Sequence, residues 1–256
     1  GRRYLNSEHF TTPRSFEGQF AQRPVDKAIL ADTDPSFRVL DLTVNVFNDS
    51  HPSYWHKNVG GYSPAKLSLY QGFIESVLSG EISALQKAFK DVQTISEAEA
   101  AVPELPGLSA LNCRYFIVDG NAAPVRNPYA KGPAWLEGDG SIQLLSYTPN
   151  ELRYRYSSPA EVKAVFSEVY YPSGWTLKVE DTGELLPVSL SDNVLRSAVL
   201  PAGEHTLVMR FAPDSYARGQ AVSLVCSILT LLLALGAVAV MVFSGASGKV
   251  VRKEDS

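Results

Sequence analysis

Residues 221–243 read AVSLVCSILTLLLALGAVAVMVF: twenty-three positions without a formal charge. About 20 apolar residues are enough to cross the hydrocarbon core of a bilayer. The polar side chains in the run, Ser223, Ser227 and Thr230, can return a hydrogen bond to their own helix, so they are inexpensive in lipid. A buried core helix rarely runs so long without a charge. The stretch therefore predicts one transmembrane helix.

The flanks give the expected sidedness. Lys249, Arg252 and Lys253 follow the run, whereas Arg218 stands alone before it, with Asp214 nearby. Positive residues are retained in the cytoplasm. This places residues 244–256 inside as a tail and residues 1–219 outside the cytoplasmic membrane. The opening GRRY lacks the apolar segment of a signal peptide. An outside location then requires delivery by upstream membrane helices of a larger protein, of which this chain is read as a piece.

Upstream of the span, short strand-forming runs alternate with turn signals. The runs are 142–147, 151–157, 161–170, 176–179, 194–199 and 205–211. Thr148-Pro149-Asn150, Pro172-Ser173-Gly174, Asp181-Thr182-Gly183 and Pro201-Ala202-Gly203 are among the turns. This spacing predicts an antiparallel β-sandwich of jelly-roll type over 141–213. A Pro- and Gly-rich stretch, 126–140, is the expected linker.

Residues 35–125 read as a small α/β unit. Residues 37–46 (FRVLDLTVNV) alternate as a strand. Ser63 and Pro64 look like the cap and first residue of a helix carrying Leu67, Tyr70, Phe73, Ile74, Val77 and Leu78. Gly80 is the expected stop. Further helices are expected over 81–92 and 96–101, and a strand over 111–118. Residues 1–34 read as an extended arm with a helical turn at 25–30.

The net charge of −4 and pI near 5.6 argue against general nucleic-acid binding, which needs a positive field. Cys113 and Cys226 are too few for a disulfide framework, and Cys226 lies in the predicted span, so no bond between them is expected. No metal motif or cofactor signature is present.

Several phrases occur in a characteristic order: RYLN (3–6), RVLDLT (38–43), FND (47–49), SYWHK (53–57), GGY (60–62), AKL (65–67), LN (111–112), YFIV (115–118), GPAW (132–135), VFSE (165–168), YYPSGW (170–175) and PAGEH (201–205). As an ordered set they resemble the C-terminal region of the bacterial YfhO family, of the Bacteroidetes type. That resemblance implies a multipass membrane protein like the GT-C glycosyltransferases. Such proteins move a sugar from a polyprenyl-phosphate carrier to an acceptor in the cell envelope. It also implies that the catalytic acid lies in an early outer loop upstream of this chain. The residues here are expected to be non-catalytic, with the catalytic residues unknown.

The richest polar and aromatic stretch is 44–62. Aromatic faces and hydrogen-bonding side chains are the combination that grips a sugar. Asn48, Asp49, Tyr54, Trp55, His56, Lys57 and Tyr62 are the candidate glycan contacts, with Lys57 also suited to a lipid-linked phosphate. The competing reading is that they pack the α/β unit against its neighbours. His51 and His56 have no metal-ligand spacing, and nothing in the sequence brings Asp41 together with Asp49 or Glu168 as an acid/base pair. The expected partners are the bilayer, an envelope glycan or lipid-linked sugar, and upstream helices. The alternatives are a structural or interaction domain and a carbohydrate-binding module.

Overall fold

The computed structural model describes residues 10–191 and 194–247. It contains a small helix-and-strand unit, a two-sheet antiparallel sandwich, and one long C-terminal helix. The arm holds two short helices, α1 (Pro13–Gln19) and α2 (Pro24–Leu30), each with proline at its start. Proline suits that position because the N–H it lacks would have no partner there.

In the first unit β1 (Arg38–Asp41) runs parallel to β2 (Cys113–Ile117), and β3 (Val125–Arg126) runs antiparallel to β2. The sheet is covered on both faces. Val39 and Ile117 pack with Val25 and Ile29 of α2. Leu40, Cys113 and Phe116 pack with the helices between β1 and β2, which are α3 (Ser68–Phe73), α4 (Ser79–Ala88), α5 (Ile95–Ala101) and α6 (Pro106–Ala110). Parallel strands need such a crossover, and it buries them completely.

Four local expectations are corrected. The strand expected over 37–46 stops at Asp41, because its carboxylate turns back to the Thr43 amide (2.9 Å) and hydroxyl (2.6 Å), closing a turn. The helix expected at Ser63 and Pro64 begins at Ser68, since the Ser63 hydroxyl instead accepts from Ala65 N in a separate turn. Gly80 does not stop that helix. A π-helical turn, Ile74–Leu78, joins α3 directly to α4, and Ser79 Oγ bonds the Ile74 carbonyl at 2.8 Å. The ~1 kcal/mol cost of a helical glycine is outweighed by burying Leu78, Ile82 and Leu85. The following helix ends at Ala88, short of the expected 92.

The sandwich has a five-stranded sheet, in order β5 (Ser141–Thr148), β6 (Glu151–Ser158), β12 (Gly203–Phe211), β8 (Trp175–Val179) and β9 (Leu185–Leu186). Its four-stranded partner is β10 (Ser189–Ser191), β11 (Leu195–Leu200), β7 (Val162–Val169) and β4 (Ala134–Leu136). Stretch 126–140 thus gives an edge residue to β3 and a whole strand, β4, to the sandwich. Leu152, Tyr154, Tyr156, Leu207 and Met209 face Val162, Ala164, Phe166, Ala198 and Leu200 across the core. The alternation along β6 and β12 is the period of two that puts one face inward.

β7 departs from that alternation for a physical reason. Its Val165, with Val194 and Leu195, joins the core of the first unit, while Phe166 faces the sandwich. The strand is buried on both sides, so the two units share apolar packing. Cys113 is buried and Cys226 lies in the terminal helix, both as free thiols.

That helix, α7 (Asp214–Ser247), leaves the end of β12 after a two-residue step. Its segment Asp214–Phe243 is long and apolar enough to cross a membrane, and none of it is buried within the protein. The tail residues 248–256 and the first arm residues 1–9 lie outside the described residues.

Candidate functional site

The seven candidate residues follow β1 and are distributed by the loop between Asp41 and Ser68. The loop is pinned at its base. Gly61 N donates to the Val46 carbonyl at 2.7 Å, and Val39 pairs through the backbone with Lys57 and Val59. Asp49 Oδ1 accepts from His51 N at 2.8 Å, capping the short 3-10 turn His51–Tyr54. From this frame successive side chains leave in different directions.

His56 turns inward to α2. Its Nε2 lies 2.9 Å from Asp26 Oδ1, and both side chains are almost fully buried. Arg23 holds the other Asp26 oxygen at 2.9 Å and reaches Asp41 at 2.8 Å. Burial alone would raise the Asp26 carboxyl, but the hydrogen bonds from Arg23 and His56 outweigh it and hold the group at about 2. A carboxylate so fully engaged is a structural anion rather than a base open to a substrate.

Lys57 turns the opposite way, to the sandwich. Its ammonium donates to the Tyr147 hydroxyl at 2.6 Å and lies 3.5 Å from Glu168 Oε1. Arg38 approaches the same carboxylate from β1 at 3.1 Å and donates to the Leu111 and Ser167 carbonyls at 2.8 and 2.5 Å. Burial lowers the Lys57 ammonium to about 8, with Glu168 opposing and Arg38 reinforcing the shift. Burial would raise Glu168, yet the surrounding Arg38, Lys57 and Arg196 keep it below the usual carboxylate range. Tyr147 is pushed up to about 12 by burial and by Glu168. These groups form an ionic knot between the two units.

Tyr54 and Trp55 turn toward the arm. Trp55 Nε1 donates to the Phe20 carbonyl at 3.1 Å, and Phe20 stacks between Tyr54 and the His51 ring, with centroids at 4.6 and 5.3 Å. His51 Nε2 contacts the Gln19 carbonyl. Tyr54 remains 59% exposed and Tyr62 61% exposed, and Phe16 and Asn48 are also at the surface.

The structure therefore splits the candidate set three ways. Trp55, His56 and Lys57 hold the arm, α2 and the sandwich respectively, Asp49 caps a turn, and Asn48, Tyr54 and Tyr62 remain on the surface. Asp41 and Glu168 bind different cations, Arg23 and Arg38, and act as separate counter-ions. Arg23, Asp26, Arg38 and Tyr147 escaped the sequence reading. Arg38 and Asp26 lie in short elements that carry a second charge, Asp41 and Lys27, and Glu168 and His56 that pair with them lie far along the chain.

Two further cavities lie elsewhere on the surface. One of ≈ 510 Å³ is polar, with Glu99, Asn112, Arg114, Arg126 and Asn127 in its walls. The other, ≈ 450 Å³, lies where Phe73, Val77 and Gly107 meet Trp135, and there the Lys131 ammonium already covers the indole at 4.5 Å. Among the described residues no group of acidic, histidine and cysteine side chains is arranged to hold a metal ion. Comparison with protein-family models, curated proteins and solved structures found no match to this chain.

Proposed function

We propose that this chain is the extracytoplasmic, membrane-anchored accessory part of a YfhO-like, GT-C-type envelope glycosyltransferase, supporting its active site or recognising its acceptor glycan. The observation that carries the anchoring is the run from β12 into an apolar, unburied helix. It tethers the folded part beside a bilayer surface, and the Lys249, Arg252 and Lys253 pattern orients the tail to the cytoplasm. The ordered sequence phrases supply the family assignment and, with it, the sugar chemistry. Localisation follows as the bacterial cytoplasmic membrane.

Tyr54 and Tyr62 supply the aromatic faces for a glycan, because both remain exposed, Tyr54 while one part of its ring packs on Phe20. Replacing both by alanine in the full-length protein is expected to reduce sugar transfer to the envelope at unchanged levels of folded protein. Unchanged transfer would reject the glycan contact. The second reading, a structural or interaction domain without glycan contact, is favoured by the commitment of Trp55, His56 and Lys57 to internal partners.

A further inference from the structure

The root of α7 is built differently from the rest of the sandwich surface. Phe211 closes β12, and its ring contacts Trp175 at 5.0 Å and Tyr171 at 6.3 Å. The Arg196 guanidinium covers the other part of Trp175 at 3.7 Å. Tyr171 is exposed, and Tyr216, in the first turn of the helix, is more exposed still. Tyr and Trp favour the layer between water and hydrocarbon, because each carries an apolar body and a polar tip; Arg196 is buried and braces Trp175 from within.

This edge is fixed to the helix rather than loosely attached. Ala212 N donates to the Gly174 carbonyl at 2.7 Å, and Phe211 N to the Asn150 carbonyl at 2.9 Å. Gly174 has a φ of +85°, and a Cβ there would fall 2.8 Å from the Phe211 ring and 2.9 Å from Pro213. Only glycine fits, so the 171–174 loop is locked against the point where strand becomes helix.

Helix geometry then sets the depth. The apolar run begins at 221, and at ~1.5 Å per residue Tyr216 lies about 7 Å above it and Pro213 about 12 Å above it. The polar layer on each side of the hydrocarbon is roughly 5–8 Å thick. Tyr216 thus falls inside that layer, whereas on an upright helix the Tyr171–Trp175–Phe211 edge stands about 4–7 Å beyond it, so seating that edge requires α7 to tilt toward it.

We propose that Tyr171, Trp175, Phe211 and Tyr216 form an interfacial surface seated among phospholipid headgroups, setting the attitude of the folded part toward the bilayer. This rests on α7 crossing the membrane. The partner is the headgroup layer itself, identified by continuity of the surface with the apolar helix.

The test uses the full chain in phosphatidylcholine–phosphatidylglycerol vesicles, with W55F and W135F leaving Trp175 as the sole tryptophan, excited apart from the tyrosines. Trp135 pairs with Val165, four residues up β7 from the edge, so a W55F/W175F variant provides a reference about 13 Å further away. A headgroup spin-labelled phosphatidylcholine is expected to quench Trp175 at least about twofold more than Trp135, as interfacial seating requires. Equal quenching of the two in chains that float with the vesicles would overturn this inference alone. Failure to float would remove the membrane span, and the anchoring in the proposed function with it. G174V is expected to lower Trp175 quenching while flotation persists. Unchanged quenching in that variant would reject the lock.

Discussion

The Lys57 ammonium donates to the Tyr147 hydroxyl at 2.6 Å, across ninety positions of sequence and across the boundary between the two units. Glu168 and Arg38 complete the contact. Because Arg38 and Glu168 are nearly inaccessible, removing one charge strands the other in a poorly solvated place. Arg38→Met is expected to destabilise the folded part by about 3 kcal/mol, the typical cost of breaking a buried pair. R38M/E168Q together should recover part of that loss. Chemical denaturation of the four members of this cycle in detergent measures the coupling, and strict additivity would show the pair to be independent.

Lys57 gives the knot a pH signature. Its folded-state value near 8 lies below the ordinary lysine value, so above pH 8 the unfolded chain holds more protons than the folded one. Stability from this group should rise between pH 8 and about 10.4, the unperturbed lysine value. NMR of reductively methylated lysines should show one resonance titrating near 8, and that resonance should vanish in Lys57→Met.

Asp26 acts in the acid range with the same sense, stability again rising with pH. Its folded-state value of about 2 lies below the ordinary 3.8. The stabilisation it provides is complete above about pH 4 and is lost as pH falls toward 2, amounting to about 2 kcal/mol for a shift of that size. Asp26→Asn should flatten the acid limb of the stability profile and lower stability at pH 7, by leaving the Arg23 charge poorly compensated. An unchanged acid limb would assign the acid sensitivity to other carboxylates.

Gly60 offers a steric test of the loop. A Cβ at this position would lie 1.8 Å from the Val46 carbonyl oxygen, so the backbone must move. Gly60→Ala should cost about 2 kcal/mol or more and release the 46–61 closure. Hydrogen exchange at the Gly61 amide, which donates to that same carbonyl, is the direct measurement.

Trp55 separates the arm from the loop. Trp55→Phe keeps most of the apolar contact but deletes the bond to the Phe20 carbonyl, at a cost of about 1 kcal/mol. Limited proteolysis should then cut the arm near α1 sooner, while the sandwich remains intact.

The architecture was legible wherever a single periodicity ruled. β6 and β12 have one wet face and one dry face, and their alternation gave them to within two residues. The apolar α7 needed only its length. β7, expected over 161–170, lies at Val162–Val169, but with Phe166 covered on one side and Val165 on the other its sequence could not say what packs on each face. The end of β1 was misjudged because Asp41 redirects the chain through its own side chain, a choice that alternation alone does not reveal. The loop at 44–62 showed its chemistry but not its directions. His56 and Lys57 are neighbours in sequence, yet their partners are Asp26 and Tyr147, on elements that only the tertiary fold brings near.

Val165, Val194 and Leu195 sit in the same apolar cluster as Leu40, Phe116 and Leu108. A gene cut made near residue 126 would therefore produce two fragments, each with a greasy wound where the other belonged. Neither piece would behave as a well-mannered soluble protein, and crystallisation of the sandwich should keep the first unit attached. Heat should melt the whole folded part upstream of α7 in one calorimetric peak, as though the two-part appearance were only a matter of drawing.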